Sequence, residues 1–207
     1  VLGLRKIIVT VGRWTMQLQI NAEHRLDQAL WHPSPHFDAR PKECWPELVV
    51  VHCVSLPEGE YGTGAPQRLF TGQLDCREHS SFADLEGLRV APHIMIDRRG
   101  QLEQFVAFNH RAWHAGISSW RGRSGCNDFS IGVELEGAVA EGYTDSQYRS
   151  LIQLVIQLMK AYPRISADAV VGHCHIAPGR KADPGPHFNW PHLMRELHRQ
   201  LSAFAAP

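Results

Sequence analysis

Apolar residues recur along this chain with two different periods, and the periods predict its elements. Leu48-Val49-Val50-Val51-His52-Cys53-Val54 is an unbroken, mostly β-branched run, which predicts a strand buried on both faces of a central sheet. His52 falls near its C-terminal end, where open α/β sheets place their ligand sites. In Phe129-Ser130-Ile131-Gly132-Val133-Glu134-Leu135-Glu136-Gly137 the period is two, so Ile131, Val133 and Leu135 share one face of a strand while Glu134 and Glu136 share the other. Ile94–Asp97 and Gln101–Val106 flank Arg98-Arg99-Gly100 and predict a hairpin. Asp168-Ala169-Val170-Val171 predicts a short buried strand that delivers His173 to a sheet edge.

The helical period appears twice. Thr144-Asp145-Ser146-Gln147 is a capping box. The helix it starts carries Tyr148, Leu151, Ile152, Val155, Leu158, Met159 and Tyr162 on one stripe and stops before Pro163. A last helix, from about Pro191, repeats the pattern with Leu193, Met194, Leu197, Leu201 and Phe204. Between Met16 and Pro46 the pattern is irregular: a short helix is expected at 23–30, and Pro33, Pro35, Pro41 and Pro46 suit either an extended arm wrapping the domain or a linker. The glycine-rich stretches 55–66 and 115–128 read as loops bordering a groove, the second carrying Trp120, Arg121 and Arg123. Together the elements predict an α/β (mixed α+β) fold, with one central mixed β-sheet flanked by helices. The domain is expected over 16–207, and residues 1–15 are a candidate N-terminal extension.

Charge narrows the partners. Lysine plus arginine and aspartate plus glutamate both number 21, which leaves no field to draw nucleic acid or an acidic membrane surface. A small-molecule partner and a monomeric chain are therefore expected. Five cysteines, odd in number and without a Cys-x-x-Cys pair, argue for a reducing compartment. No apolar run reaches the roughly 20 residues of a spanning helix, and the first apolar stretch is too short for a secretory signal, so a cytoplasmic location is expected.

Candidate chemistry concentrates in Gly172-His173-Cys174-His175-Ile176-Ala177-Pro178-Gly179-Arg180-Lys181-Ala182-Asp183-Pro184-Gly185. Two imidazoles, a lysine and a carboxylate make half of a metal site. A hydrolytic zinc needs three protein ligands and an open position for water, so a further ligand must come from elsewhere, and His52 is the best donor. His175, two residues from His173 on an extended segment, would share its face, but a fourth protein ligand would close the site to water, which counts against it as a ligand. Cys174 would face the other way as a small buried hydrophobe. If the strand 129–137 lies beside that of His52, one of its glutamates reaches the metal-bound water.

Four motifs in order, Val50-Val51-His52, Arg111-Ala112-Trp113-His114-Ala115-Gly116, the segment Cys126–Gly137 and the segment Gly172–Gly185, resemble the zinc N-acetylmuramyl-L-alanine amidases, and within them the cytoplasmic AmpD type of cell-wall recycling. The resemblance covers roughly residues 33–190. It implies that His52, His173 and Asp183 bind Zn2+, that Glu134 is the general base and that Lys181 stabilises the oxyanion. It implies a muropeptide substrate cut between (1,6-anhydro)-N-acetylmuramic acid and L-alanine. Arg89 and Trp113 match positions that look like substrate contacts in the family, and His93 and His114 match positions read as supporting or packing histidines. Two departures fall in the substrate region: Cys53 stands where the family commonly has asparagine, and Gly125 where it commonly has arginine, with Arg123 a candidate replacement for that guanidinium. An amidase acting on intact wall peptidoglycan and a non-catalytic peptidoglycan-recognition module are the competing readings. The intact set His52, His173, Asp183, Glu134 and Lys181 counts against the module.

Overall fold

A computed structural model of the chain describes residues 18–205, with side chains as far as Ala203. The extension reading for 1–15 and the place of Phe204 on the last helix therefore lie outside the described residues. The chain runs through β1 (Leu30–Trp31), β2 (Phe37–Ala39), β3 (Leu48–Val54), α1 (Ala65–Phe70), β4 (Ile94–Ile96), β5 (Leu102–Gln104), β6 (His110–Ala112), β7 (Ser119–Trp120) and β8 (Arg123–Ser124). It continues through β9 (Ser130–Glu136), α2 (Asp145–Ala161), β10 (Val170–Gly172), α3 (His173–Ile176) and α4 (Trp190–Ala205). The central sheet has the order β1-β5-β4-β9-β3-β10, mixed in direction, with β4 antiparallel to β5 and the other neighbours parallel.

Side-chain alternation divides this sheet into two unlike faces. Val49 and Val51 of β3, Ile94 and Ile96 of β4 and Ile131, Val133 and Leu135 of β9 join one buried cluster with Leu151, Leu154, Val155 and Leu158 of α2 and Leu193 and Leu197 of α4. Both long helices thus cover the same face, and the apolar stripe of each is core. The opposite set, Leu48 and Val50 on β3 and Met95 on β4, packs in two smaller clusters under loops and α1. His52 and Glu134 belong to this second face. A one-residue slip of either strand would send its functional side chain into the helical layer.

The capping box of α2 forms as expected: Gln147 N donates to Thr144 Oγ1 at 3.1 Å, and Thr144 N donates back to Gln147 Oε1. The buried Gln147 amide also donates to the carbonyls of Ile96 and Glu136, tying the helix start to the ends of β4 and β9. The helix expected at 23–30 is absent: the segment is turns leading into β1, because Gln104 Oε1 accepts Leu26 N and β1 pairs with β5, so its backbone groups bond across the fold. Helix α1 was not foreseen. It begins at Ala65-Pro66 inside the stretch read as a loop, with proline in its first turn, where a missing N–H costs nothing.

Gly132 on β9 is a point of close approach. A Cβ there would fall 2.4 Å from Cγ of the His114 ring, so the imidazole lies flat on bare backbone. Gly132→Ala should destabilise the protein by about 1–3 kcal/mol through overpacking, lowering Tm by roughly 2–12 °C for a chain of this size. Thermal unfolding of the two proteins measures it, and an unchanged Tm would show that His114 is not held against the strand.

Candidate active site

Three elements deliver three ligand atoms to one point. β3 and β9 pair in parallel register, with His52 opposite Glu134. β10, on the other side of β3, ends at Gly172 and leads directly into the helical turn α3, which presents His173. The chain then reverses, and Cys174 N donates to Asp183 O at 2.9 Å, bringing the carboxylate back. Tyr143 Oη anchors the same segment by donating to Pro184 O at 2.6 Å. Gly185 is required there, because a Cβ would sit 2.1 Å from the Val139 carbonyl oxygen.

His52 Nδ1 and His173 Nδ1 lie 3.0 Å apart, and Asp183 Oδ2 is 3.1 Å from the first and 3.0 Å from the second. Among the described residues this is the one group of three or more His, Cys, Asp or Glu side chains whose donor atoms converge so closely. The outer ring nitrogens explain why. His173 Nε2 donates to Ala115 O at 3.1 Å, so its Nδ1 carries the lone pair. His52 Nε2 pairs with His114 Nδ1 at 2.9 Å, and His114 Nε2 with Ser130 Oγ at 3.1 Å; with His52 donating along this chain, its Nδ1 is bare as well. Two lone pairs and a carboxylate oxygen crowded together repel unless a cation lies between them. Burial disfavours the charged form of two of these rings: it lowers His52 to about 4 and pushes His114 well below the ordinary histidine range.

The set fits zinc. Two neutral imidazoles and one carboxylate match the three-ligand open site of hydrolytic zinc, whose bonds of about 2.0–2.1 Å separate tetrahedral ligand atoms by roughly 3.3 Å. Glu134 adds an independent sign. Its Oε2 is buried without a hydrogen-bond partner, and burial, with the Asp183 charge adding and Lys181 opposing, pushes its carboxyl well above the usual range. An orphaned buried carboxylate oxygen beside a metal triad is a place for a reacting water. Glu136, two residues on and facing the same way, is already used: it accepts Gly62 N at 2.6 Å and Arg98 N at 3.1 Å.

A cleft of about 510 Å³ opens over the triad, lined by Cys53, Arg89, Trp113, Glu134 and Lys181 among others. Arg123, the candidate substitute for a family guanidinium, is not brought there. Cross-strand pairing of β7 with β8 directs it elsewhere, onto Glu47 at 3.2 Å and 3.9 Å over the Phe129 ring. Besides Arg89, the guanidinium that borders the cleft is that of Arg180, which donates to Ala115 O at 2.7 Å and Ile117 O at 2.6 Å. Ala115 O therefore serves both His173 and Arg180. Asn127 pins the same loop, its Oδ1 accepting His114 N and Ala115 N. Neither residue was singled out from sequence, although both stand inside the quoted motifs. His175 is no ligand: the segment is helical, not extended, so His175 Nδ1 turns back to accept Gly172 N at 3.0 Å. Cys174 is half-buried rather than a core residue.

The N-acetylmuramoyl-L-alanine amidase family profile matches residues 41–186. The 1,6-anhydro-N-acetylmuramyl-L-alanine amidase AmpD of Salmonella typhimurium (strain SL1344) is 52% identical over 159 residues, 77% of this chain and 84% of that protein. A selenomethionine crystal structure of AmpD aligns with a TM-score of 0.81 at 50% identity, covering 84% of this chain and 97% of that one. The Escherichia coli amidase AmiD, solved with the substrate anhydro-N-acetylmuramic acid-L-Ala-D-gamma-Glu-L-Lys, aligns with a TM-score of 0.54 at 29% identity over 76% of this chain and 60% of that one. With the fold, the donor triad and these likenesses in agreement, the chain belongs to the N-acetylmuramoyl-L-alanine amidase family, on its AmpD side.

Proposed function

We propose that this chain is a zinc-dependent amidase that hydrolyses the lactyl-amide bond between 1,6-anhydro-N-acetylmuramic acid and L-alanine in soluble muropeptides during cytoplasmic cell-wall recycling. The observation that carries the reading is the convergence of His52, His173 and Asp183 beside the unpartnered Glu134 oxygen. The anhydro sugar is supported by the name of the Salmonella relative and by the ligand of the AmiD structure. The reducing compartment is supported by five free cysteines, and no helix among the described residues is long and apolar enough to cross a membrane.

Zinc held by the triad would supply Lewis acidity and lower the pKa of a coordinated water to about 7. Glu134, raised by burial, is suited to take a proton from the attacking water at Oε2 and deliver it to the departing alanine nitrogen. The C–N bond then breaks to give the lactyl carboxylate and a free amine. Lys181 lines the cleft close enough to act on both Glu134 and His52, and its ammonium faces the carbonyl oxygen as charge develops. Arg89 would grip a peptide carboxylate and Trp113 would wall the substrate. Cys53, half-buried with its thiol pushed up to about 12 by burial, stays protonated and cannot replace both functions of an asparagine amide.

Elemental analysis should find about one zinc per chain, depleted in His52→Ala, His173→Ala and Asp183→Ala. Glu134→Gln should keep the metal and lose kcat by about 10²–10⁴, while Lys181→Ala should keep it and lose about 10²–10³. Full zinc in all three ligand variants would remove the triad from the mechanism, and a damaging Glu136→Gln beside a silent Glu134→Gln would move the base.

The substrate reading makes a separate prediction. Wild type should cleave the anhydromuramyl tripeptide with a higher kcat/KM than the reducing-end muramyl tripeptide, and Cys53→Asn should lower KM by roughly the worth of one hydrogen bond, about 2- to 10-fold. Equal rates on the two sugars, or faster release from intact sacculi, would favour an amidase of the intact wall.

A further inference from the structure

We infer that residues 34–40, which precede the family-matched region, form a strut whose alternate side chains position the substrate-facing wall of the cleft. Sequence alone left this segment open between arm and linker. The structure gives it a period of two: Pro33, Pro35, Phe37 and Ala39 are exposed, while Ser34 and His36 are buried and Asp38 and Arg40 are half-buried. β2 within it pairs antiparallel with β6, with Asp38 opposite Arg111.

Each inward side chain meets a different piece of the wall. Ser34 Oγ donates to the carbonyl of Phe70, and His36 Nδ1 donates to that of Val90 at 3.0 Å. The His36 ring stacks on Trp113 with 6.3 Å between centroids and 17° between planes, and Trp113 N donates to His36 O. Asp38 accepts from Arg111 Nε at 2.6 Å, and Arg111 together with the Trp113 side chain holds its carboxyl below the usual range. Arg40 donates to the carbonyls of Asn127, Asp128 and Ser130. Phe70, Val90, Trp113 and Asn127 all line the cleft.

Two of the four, His36 and Asp38, act on Trp113, His36 by stacking on its ring and Asp38 through its carboxyl, and neither belongs to the His52–His173–Asp183 group. A rigid backing fixes the indole in the attitude that meets the substrate, and small misplacements of such a surface weaken binding before they alter chemistry. His36 and Asp38 are therefore positioning residues for substrate affinity. This rests on the cleft being the amidase's substrate site. Wild-type rates on the two muramyl sugars decide the recycling reading, whereas the ratio of variant to wild-type KM on either sugar decides this one.

The test uses the full zinc-loaded chain carrying His36→Ala, Asp38→Asn or His36→Phe, with kinetics, zinc content and Tm measured on each. His36→Ala and Asp38→Asn should raise KM by roughly 5- to 10-fold, the worth of about one lost ring-stacking contact for His36 and one lost hydrogen bond for Asp38, with kcat within about twofold and zinc retained. His36→Phe keeps the stacked ring and should recover most of the KM loss. Asp38→Asn, nearly isosteric, carries the test if His36→Ala does not fold. An unchanged KM in the folded variants, or a fall in kcat that tracks lost zinc, would overturn the positioning role.

Discussion

The parallel pairing of β3 with β9 is the constraint on which the rest depends. It sets His52 opposite Glu134, so one imidazole of the converging triad and an unpartnered carboxylate oxygen stand side by side on one face of the sheet. The hydrophobic pattern enforces it. Val49 and Val51 must enter the helical layer with Ile131, Val133 and Leu135, and the alternation then leaves His52 and Glu134 no choice of face. Core burial and catalytic geometry are thus one specification, written twice along the chain.

Around that pair the protein spends its polar groups on orientation. Ala115 O, His114 and Ser130 select the ring nitrogens that stay free at His173 and His52, and Arg180 and Asn127 hold the loop that carries Ala115 and His114. Such outer partners usually matter nearly as much as the ligands to metal affinity. Glu134 Oε2 is the exception left unsatisfied, in contrast to the bonded carboxylate of Glu136.

Much of this was legible in the residues because period and chemistry coincide. β3 was read to the residue, and the two-faced β9 and the capped α2 followed from alternation and a Thr-x-x-Gln box. What stayed hidden was decided by non-local pairing. Residues 23–30 have helix formers, yet Leu26 N bonds to the side chain of Gln104 on β5 and Leu30 pairs with the same strand. His175 was expected to share the face of His173 on an extended segment, whereas the segment is a helical turn, which rotates alternate residues apart. Arg123 and Arg180 are both loop arginines, and only the hairpin's cross-strand register sends the first to Glu47 and leaves the second at the cleft. The arm's alternation is irregular in hydrophobicity because serine, histidine, aspartate and arginine do the inward bonding.

The central claim is that the metal centre is built from two imidazoles and a carboxylate, with the nearby thiols of Cys53 and Cys174 outside it. X-ray absorption at the zinc edge on the loaded chain tests this most directly. The account predicts only nitrogen and oxygen neighbours, at about 2.0–2.2 Å. A sulfur neighbour at about 2.3 Å would mean that a cysteine ligates the metal, and would contradict the assignment of His52, His173 and Asp183 as the ligand set.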